Sequence, residues 1–266
     1  MKIYDCFSFF NELDMLELRL EILGDHVDKF VLVESTKSHQ NFDKPLFYEE
    51  NKQRFSKFND KITHVVVNDF PPHSYWSHET HQRDCIVRGL SDCKKEDVIF
   101  VSDLDEIWNP EKIIPKLDRL KNNEIMNWKS KICYFYFNLV ADSNPWYQPF
   151  YIRHELLQEL LDGGFTLSVD ILRDQEKRLP IKHTFEEEYG GWHFSYTEDV
   201  EYKLQNFLHS EYRNMKKEQI DEFIKNKVNP FHKNQMELIP PSEFETYLPK
   251  YVFNNLEKYR EKLLYD

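Results

Sequence analysis

Glycine is scarce in this chain. Of 266 residues only six are glycine, at Gly24, Gly89, Gly163, Gly164, Gly190 and Gly191, and those positions spell neither the G-x-G-x-x-G dinucleotide turn nor the G-x-x-x-x-G-K-[ST] phosphate loop. A phosphorylated ligand must be neutralised by something other than a glycine-rich loop. Cysteine is sparse as well: Cys6, Cys85, Cys93 and Cys133 contain no C-x-x-C pair, which removes the zinc ribbon and the dithiol redox site and leaves free thiols as the expectation. Positive charge is in deficit. With 35 Lys and Arg against 47 Asp and Glu, the formal charge is −12 and the pI about 5.4, the wrong sign for a protein that grips nucleic-acid phosphates. No window approaches the ~18 consecutive apolar residues of a membrane span, and polar residues interrupt the N-terminal run MKIYDCFSFFNELD too soon for the apolar core of a signal peptide. The expectation is a cytoplasmic protein with no nucleic-acid partner and no transmembrane segment.

What is present is a chain rich enough in apolar residues, 40%, to bury a large core. At this size, surface scaling lets about three quarters of the unfolded area disappear on folding. The first half alternates between two hydrophobic periods, as an α/β sheet requires. Lys2 to Phe10 reads as a strand, and Leu13, Leu16, Leu18, Leu20 and Leu23 as a helix stopped by Gly24. Apolar runs follow at Phe30 to Glu34, Ile62 to Val67 and Asp97 to Ser102, the last short enough to be a strand buried on both faces. A helix is expected after Ser77, with Glu79 in its first turn, and another from Asn109-Pro110, with Asn as the cap. Tyr134 to Phe137 read as core, being an uninterrupted aromatic run. From Glu198 onward the pattern turns helical, with helices expected around 198 to 209, 216 to 226 and 242 to 264. Residues 1–210 are thus expected to form the main domain and 211–266 a helical C-terminal extension packed on it.

The most informative stretch is Val98-Ile99-Phe100-Val101-Ser102-Asp103-Leu104-Asp105-Glu106-Ile107. Its carboxylates follow a buried strand, placing them at the carboxyl end, where open α/β sheets bind ligands. In extended backbone Asp103 and Asp105 point to the same side. Side by side they repel unless a proton or a cation bridges them, and a hard divalent ion with oxygen ligands is the usual resolution. The plainer alternative is that Asp103 caps a helix and Glu106 completes a capping box. Asn109-Pro110 is the better helix start, so residues 103 to 108 are expected to be a loop.

Here the chain resembles a known family. The aspartate-x-aspartate after a buried strand is similar to the metal site of nucleotide-sugar glycosyltransferases of the GT-A fold. More closely, Phe9-Phe10-Asn11-Glu12-Leu13-Asp14, Phe30-Val31-Leu32-Val33-Glu34-Ser35-Thr36, Ser102-Asp103-Leu104-Asp105-Glu106-Ile107 and Gly190-Gly191-Trp192-His193-Phe194-Ser195-Tyr196 resemble glycosyltransferase family 17, which includes the transferase of bisecting β-1,4-linked N-acetylglucosamine. The segment from Pro249 to Leu256 also fits.

The resemblance implies a GT-A-like, Rossmann-like fold: a mixed, mostly parallel sheet flanked by helices. It implies inverting transfer of a sugar, N-acetylglucosamine from its UDP conjugate, to a sugar hydroxyl of a glycan acceptor. Asp103 and Asp105 carry over as the metal and diphosphate site, and His193 is the candidate third ligand of Mn²⁺ or Mg²⁺, since imidazole accepts Mn²⁺. Glu34, at a strand end, is placed to accept from a ribose hydroxyl or the uracil N–H. Arg83 offers its fork to a phosphate or to the acidic cluster, and Lys44 is a further phosphate candidate. Trp146, Trp192 and Tyr196 are candidates for stacking on an acceptor sugar. The base that takes the acceptor's proton is left open among Glu106, Asp170 and Asp142. With no anchor or stem, the expected acceptor is a surface glycan built in the cytoplasm.

Two other classes compete. A haloacid-dehalogenase-type phosphatase also carries D-x-D after a buried strand, usually nearer the N-terminus and followed by D-x-[TV], whereas Ile107 stands in the last position here. A non-catalytic carbohydrate-binding protein would keep the aromatics without needing the paired aspartates.

Overall fold

Strands covered on both faces make the centre of the molecule, and their residues alternate accordingly. The computed structural model describes residues 1–70, 75–141, 145–162, 169–173, 181–206, 212 and 214–265. In chain order the elements are β1 (Ile3–Phe9), α1 (Leu13–Leu23), β2 (Lys29–Ser35), α2 (Phe47–Asn51), β3 (Ile62–Val67), α3 (Tyr75–Asp84), β4 (Val98–Asp103), β5 (Glu106–Trp108) and α4 (Pro110–Ile113). There follow β6 (Glu124–Tyr134), β7 (Leu139–Val140), β8 (Phe150–Arg153), α5 (His154–Asp162), α6 (Val169–Arg173) and β9 (Lys182–Ser195). The C-terminal part adds α7 (Val200–Asn206), α8 (Lys217–Lys225), β10 (Glu237–Leu238), α9 (Phe244–Tyr247) and α10 (Lys250–Phe253). No helix among the described residues is long and apolar enough to cross a membrane.

The sheet runs β10-β7-β6-β8-β4-β1-β2-β3. Its β3-β2-β1-β4 half is parallel; β8 lies antiparallel between β4 and β6, and β9 pairs parallel with β6 and antiparallel with β5. This is the expected α/β class, a Rossmann-like mixed sheet flanked by helices. Period-two alternation divides the core. Phe7, Phe9, Phe30, Leu32 and Phe100 face α1 and the C-terminal turns, while Tyr4, Cys6, Val31, Val33, Ile99 and Val101 face Ile86, Leu157 and Leu172. Each such fully buried side chain contributes about 1.5–3 kcal/mol relative to exposure. Tyr134, Phe135 and Phe137 are buried as expected. All four cysteines are free thiols.

Strand order creates the site's location. From β1 the chain turns to β2 on one side and later to β4 on the other, so the carboxyl ends of β1 and β4 form the switch point where α/β sheets take ligands. Register aligns those ends: Ser8 pairs with Asp103 and Phe9 with Glu34.

Two expectations need correction. Residues 106–108 are not loop but strand, because Glu106, Ile107 and Trp108 pair with His193, Trp192 and Gly191. The helix expected over 242 to 264 is broken into short turns. Pro249 lacks an amide donor and holds Leu248 extended, at φ −78° and ψ 159°. Gly24 does end α1, yet with ordinary helical angles; its missing Cβ instead makes room for the Phe58 ring and the Leu20 carbonyl, each 2.6 Å from where that atom would stand. The expected boundary near residue 210 falls beside residues outside the described set. Beyond it, Phe244, Leu248, Val252, Tyr259 and Leu263 join the main core, and β10 extends the sheet through β7.

The C-terminal segment also closes over Glu198. Lys262 donates to the Thr197 carbonyl at 2.9 Å, and Glu198 accepts from the Asp14 amide at 3.3 Å. Burial pushes the Glu198 carboxyl up to about 7, with Asp14 and Glu12 adding to the rise and Lys262 opposing it. Between the ordinary value of 4.5 and about 7 the native state holds the proton more tightly than the unfolded chain, so this group's contribution falls as pH rises through that window. Glu198→Gln is therefore expected to raise the melting temperature at pH 8 and leave it nearly unchanged at pH 4.5. An equal gain at both pH values would show that the charge of Glu198 is not what strains this contact.

Candidate active site

A buried ion pair builds the turn that carries the acidic residues. Asp5, inside β1, and Arg19, on the inward face of α1, are both fully buried and joined by parallel bonds of 2.7 Å from Nε and Nη2. The remaining donors of the fork go to the turn. Nη1 reaches the carbonyls of Asp103, Leu104 and Glu106 at 2.8, 3.0 and 3.0 Å, and Nη2 reaches Ser102 Oγ at 2.7 Å. Trp108 Nε1 donates to Asp5 Oδ1 at 3.1 Å, and Phe7 presents its ring to the guanidinium at 4.5 Å. Arginine's planar donor set alone can satisfy so many acceptors at once. From the other side β9 presses close. A Cβ on Gly191 would stand 2.4 Å from the Ile107 carbonyl, so glycine there lets β5 and β9 pair and sets His193 opposite Glu106.

The side chains of the turn diverge into separate partnerships. Asp103 Oδ1 accepts from Arg83 at 3.0 Å and Oδ2 from Arg173 at 3.1 Å. Burial pushes the Asp103 carboxyl up, but Arg173 and Arg83 outweigh it and hold it well below the usual carboxylate range, with His193 adding to the fall. Arg83 also bonds Glu79 at 3.0 Å and Asp170. Arg173 grips the buried Glu106 through both nitrogens at 3.0 Å. Asp105 Oδ2 accepts from Lys203 at 3.1 Å, and Lys203 bridges to Glu12 at 3.0 Å. His193 Nε2 lies 3.6 Å from Asp105 Oδ1, while its Nδ1 is buried with no hydrogen-bond partner among the described residues.

Helix α3 is positioned by Gln82, whose amide bonds the carbonyls of Phe9 and Val33 at 3.2 and 2.9 Å, and so delivers Arg83 to the ends of β1 and β4. His39 adjoins the same charges; burial lowers its pKa, with Glu79 and Asp103 opposing and Arg83 reinforcing. Altogether Asp103, Asp105, Glu106, Glu79, Asp170 and Glu12 outnumber Arg83, Arg173 and Lys203. The excess of carboxylates and the His193 Nε2 beside Asp105 suit a divalent cation of the carboxylate- and imidazole-binding kind.

Comparison with known proteins decides the family. The sequence profile of glycosyltransferase family 17 matches residues 1–264. The chain belongs to that family. A rat β-1,4-mannosyl-glycoprotein 4-β-N-acetylglucosaminyltransferase is 28% identical over 115 residues, covering 40% of this chain and 21% of the relative. The mouse protein of the same description is 23% identical over 297 aligned positions, covering 97% of this chain and 54% of its own length. This family-17 chain thus spans about half the length, or less, of the curated relatives it matches. Among solved structures, S. aureus TarS 1-349 aligns with a TM-score of 0.45 at 12% identity, over 80% of this chain and 68% of that one. A 2-C-methyl-D-erythritol 4-phosphate cytidylyltransferase from Francisella tularensis aligns with a TM-score of 0.44 at 12% identity, over 78% of this chain and 100% of that one.

The family-17 structure gathers some expected site residues and removes others. Asp103, Asp105, His193, Arg83 and Asp170 meet at the switch point, and Trp146 joins them, its ring 5.0 Å from that of His193 and its indole N–H on Glu106. As the side chains stand, Asp103, Asp105 and His193 do not bring their ligand atoms within 4.8 Å of one another; the two arginines draw Asp103 aside. Glu106 is not a free base, since Arg173, Trp146 and the Asp103 amide take up its oxygens in a buried setting. That last bond, at 2.6 Å, is the reach-back of a capping box without a helix. Asp142 lies outside the described residues.

Glu34 is fully buried, its oxygens occupied by the Tyr48 amide and His64 at 3.0 Å each. Lys44 turns inward to the Phe10 and Pro45 carbonyls, 3.6 Å from Glu34. Both spend their polar atoms on these internal partners. Trp192 is buried and spends its N–H on the Tyr247 carbonyl at 2.8 Å; Tyr196 is buried and stacks on Phe231 at 4.6 Å. Both are core rather than sugar platforms.

Sequence reading missed Arg19, Arg173, Lys203, Glu12 and His39. Only Arg19 left a signal: it lies three residues after Leu16 and four before Leu23, a charge on an apolar helical face. Arg19→Met would leave Asp5 buried and unpaired, and is expected to cost about 3–5 kcal/mol, read as a lower urea midpoint. A loss below about 1 kcal/mol would mean that the turn holds without its anchor.

Proposed function

We propose that this family-17 chain is an inverting glycosyltransferase that moves N-acetylglucosamine from UDP-N-acetylglucosamine to a sugar hydroxyl of a glycan. The observation that carries the proposal is the Asp103–Asp105 turn at the carboxyl end of β4. There carboxylates exceed cations, and His193 Nε2 stands 3.6 Å from Asp105 Oδ1. The acetylglucosaminyl donor follows the description of the curated relatives.

Mn²⁺ or Mg²⁺ would be held by Asp105, His193 and Asp103, and when bound it supplies positive charge to the departing diphosphate. The protein's own contributions are distinct. Arg83 and Arg173 flank the carboxylates and can exchange a carboxylate oxygen for a phosphate oxygen, for which their fork is suited. Trp146, half-buried above His193, offers an amphipathic face to a sugar ring. Asp170 is the proposed base. Of the two described candidates it keeps a side chain 25% exposed, whereas Glu106 has no exposed surface. Thr80 orients it with a bond of 3.1 Å. Two guanidinium groups on Asp103 count against a phosphatase, which needs that carboxylate as a nucleophile.

The test is hydrolysis of UDP-N-acetylglucosamine, with and without Mn²⁺, by the native chain and by Asp105→Ala. The expected result is Mn²⁺-dependent release of UDP that falls roughly 100-fold or more in the variant, the scale of losing one electrostatic stabiliser of a transition state. Donor binding that ignores both Mn²⁺ and the substitution would overturn the transferase reading. Phosphate release from simple phosphomonoesters would replace it with the phosphatase.

A further inference from the structure

Away from the acidic turn, at the end of β3, Asp69, His81 and Cys85 bring one ligand atom each within 4.8 Å of one another, the only such group among the described residues. His81 and Cys85 are four residues apart, on one face of α3 and its continuation, so helical geometry sets them side by side. Asp69 approaches from the end of the neighbouring strand. His81 Nε2 is 3.7 Å from Cys85 Sγ and 3.6 Å from Asp69 Oδ1. The second distance exceeds an N–H···O hydrogen bond, yet it is near the edge of a metal tetrahedron. Bond lengths of about 2.0–2.1 Å to N and O and about 2.3 Å to S give edges of about 3.3 Å for N···O and about 3.6 Å for N···S.

We propose that Asp69, His81 and Cys85 bind a zinc-like divalent cation, with the fourth position open to water, separately from the cation expected at Asp105. The ligand types select it: thiolate and imidazole favour Zn²⁺ over the harder Mn²⁺ and Mg²⁺. On binding, the Cys85 thiol gives its proton to solvent and its sulfur bonds the metal, while Asp69 binds as a carboxylate and His81 as a neutral ring. Arg88 supplies the outer support, donating to Asp69 Oδ1 and Oδ2 at 2.9 and 2.8 Å; with Oδ1 on the metal, Oδ2 keeps its bond and the carboxylate stays oriented. Arg83 and Glu79 stand two residues to either side of His81, on the face of α3 turned to the acidic turn. A cation on the opposite face therefore pins the helix that carries Arg83.

The test adds Co²⁺ to the reduced, metal-stripped 266-residue chain and follows absorbance. Expected is stoichiometric uptake with thiolate-to-cobalt charge-transfer absorption, kept in Asp105→Ala, abolished in Cys85→Ser, and reversed by Zn²⁺. His81→Gln, at a partly exposed position where folding is less at risk, should weaken uptake at least about 10-fold with its metal-free melting temperature unchanged. Absence of charge-transfer absorption in the native chain overturns the proposal. Its persistence in Cys85→Ser, or its loss in Asp105→Ala, does so equally.

Discussion

The Asp5–Arg19 pair is the constraint on which the site depends. Two fully buried charges cost several kcal/mol each to desolvate, and their attraction offsets this only when the remaining donors and acceptors are also satisfied. Here the surplus donors of Arg19 are satisfied by the turn itself, through the carbonyls of Asp103, Leu104 and Glu106. Core and site are therefore one hydrogen-bonded unit. Helix α1 cannot shift without moving the acidic turn, and the turn cannot relax without leaving the Nη1 donors of Arg19 buried and unsatisfied.

That arrangement explains how a chain with six glycines can present a charged site at a strand end. A glycine loop binds anions with backbone amides; here the carbonyls of the turn point inward to Arg19 and the side chains point outward to cations. Arg83, Arg173 and Lys203 arrive from α3, α6 and α7, three elements far apart in sequence, and each bridges at least two carboxylates. Such shared pairs are stronger than isolated surface bridges because their partners are buried and geometrically fixed. Gly191 has a different duty from the glycines of phosphate loops, allowing β9 to close on β5 and so placing His193.

Much of this was legible from sequence, for physical reasons. Strands β2 and β4 carry apolar runs buried on both faces, and such runs read most simply as central strands. The turn at Asp103 follows because charge directly after such a run must lie at its exposed end. What escaped were contacts between distant segments. Nothing local marks Arg173 or Lys203 as partners of Asp103 and Asp105, and β5 is invisible until β9 is known to pass beside it. Glu34, Lys44, Trp192 and Tyr196 show the opposite failure. Their residue types suit ligand binding, but the buried ends of β2 and β9 consume them internally, and type alone cannot tell a hydrogen bond to ligand from one to the Tyr48 amide. The long helix expected after residue 242 failed for a local reason that was visible, Pro249.

We propose that the Asp103–Asp105 turn, clamped from beneath by Arg19, is where a nucleotide-sugar diphosphate and its cation sit. A crystal structure with UDP and Mn²⁺, using the anomalous signal to locate manganese, tests it most directly. The expected result is manganese against Asp105 and His193, UDP phosphates within reach of Arg83 or Arg173, and Arg19 still bonded to the three carbonyls. Manganese and nucleotide bound elsewhere, with the turn and its arginines unchanged, would contradict it.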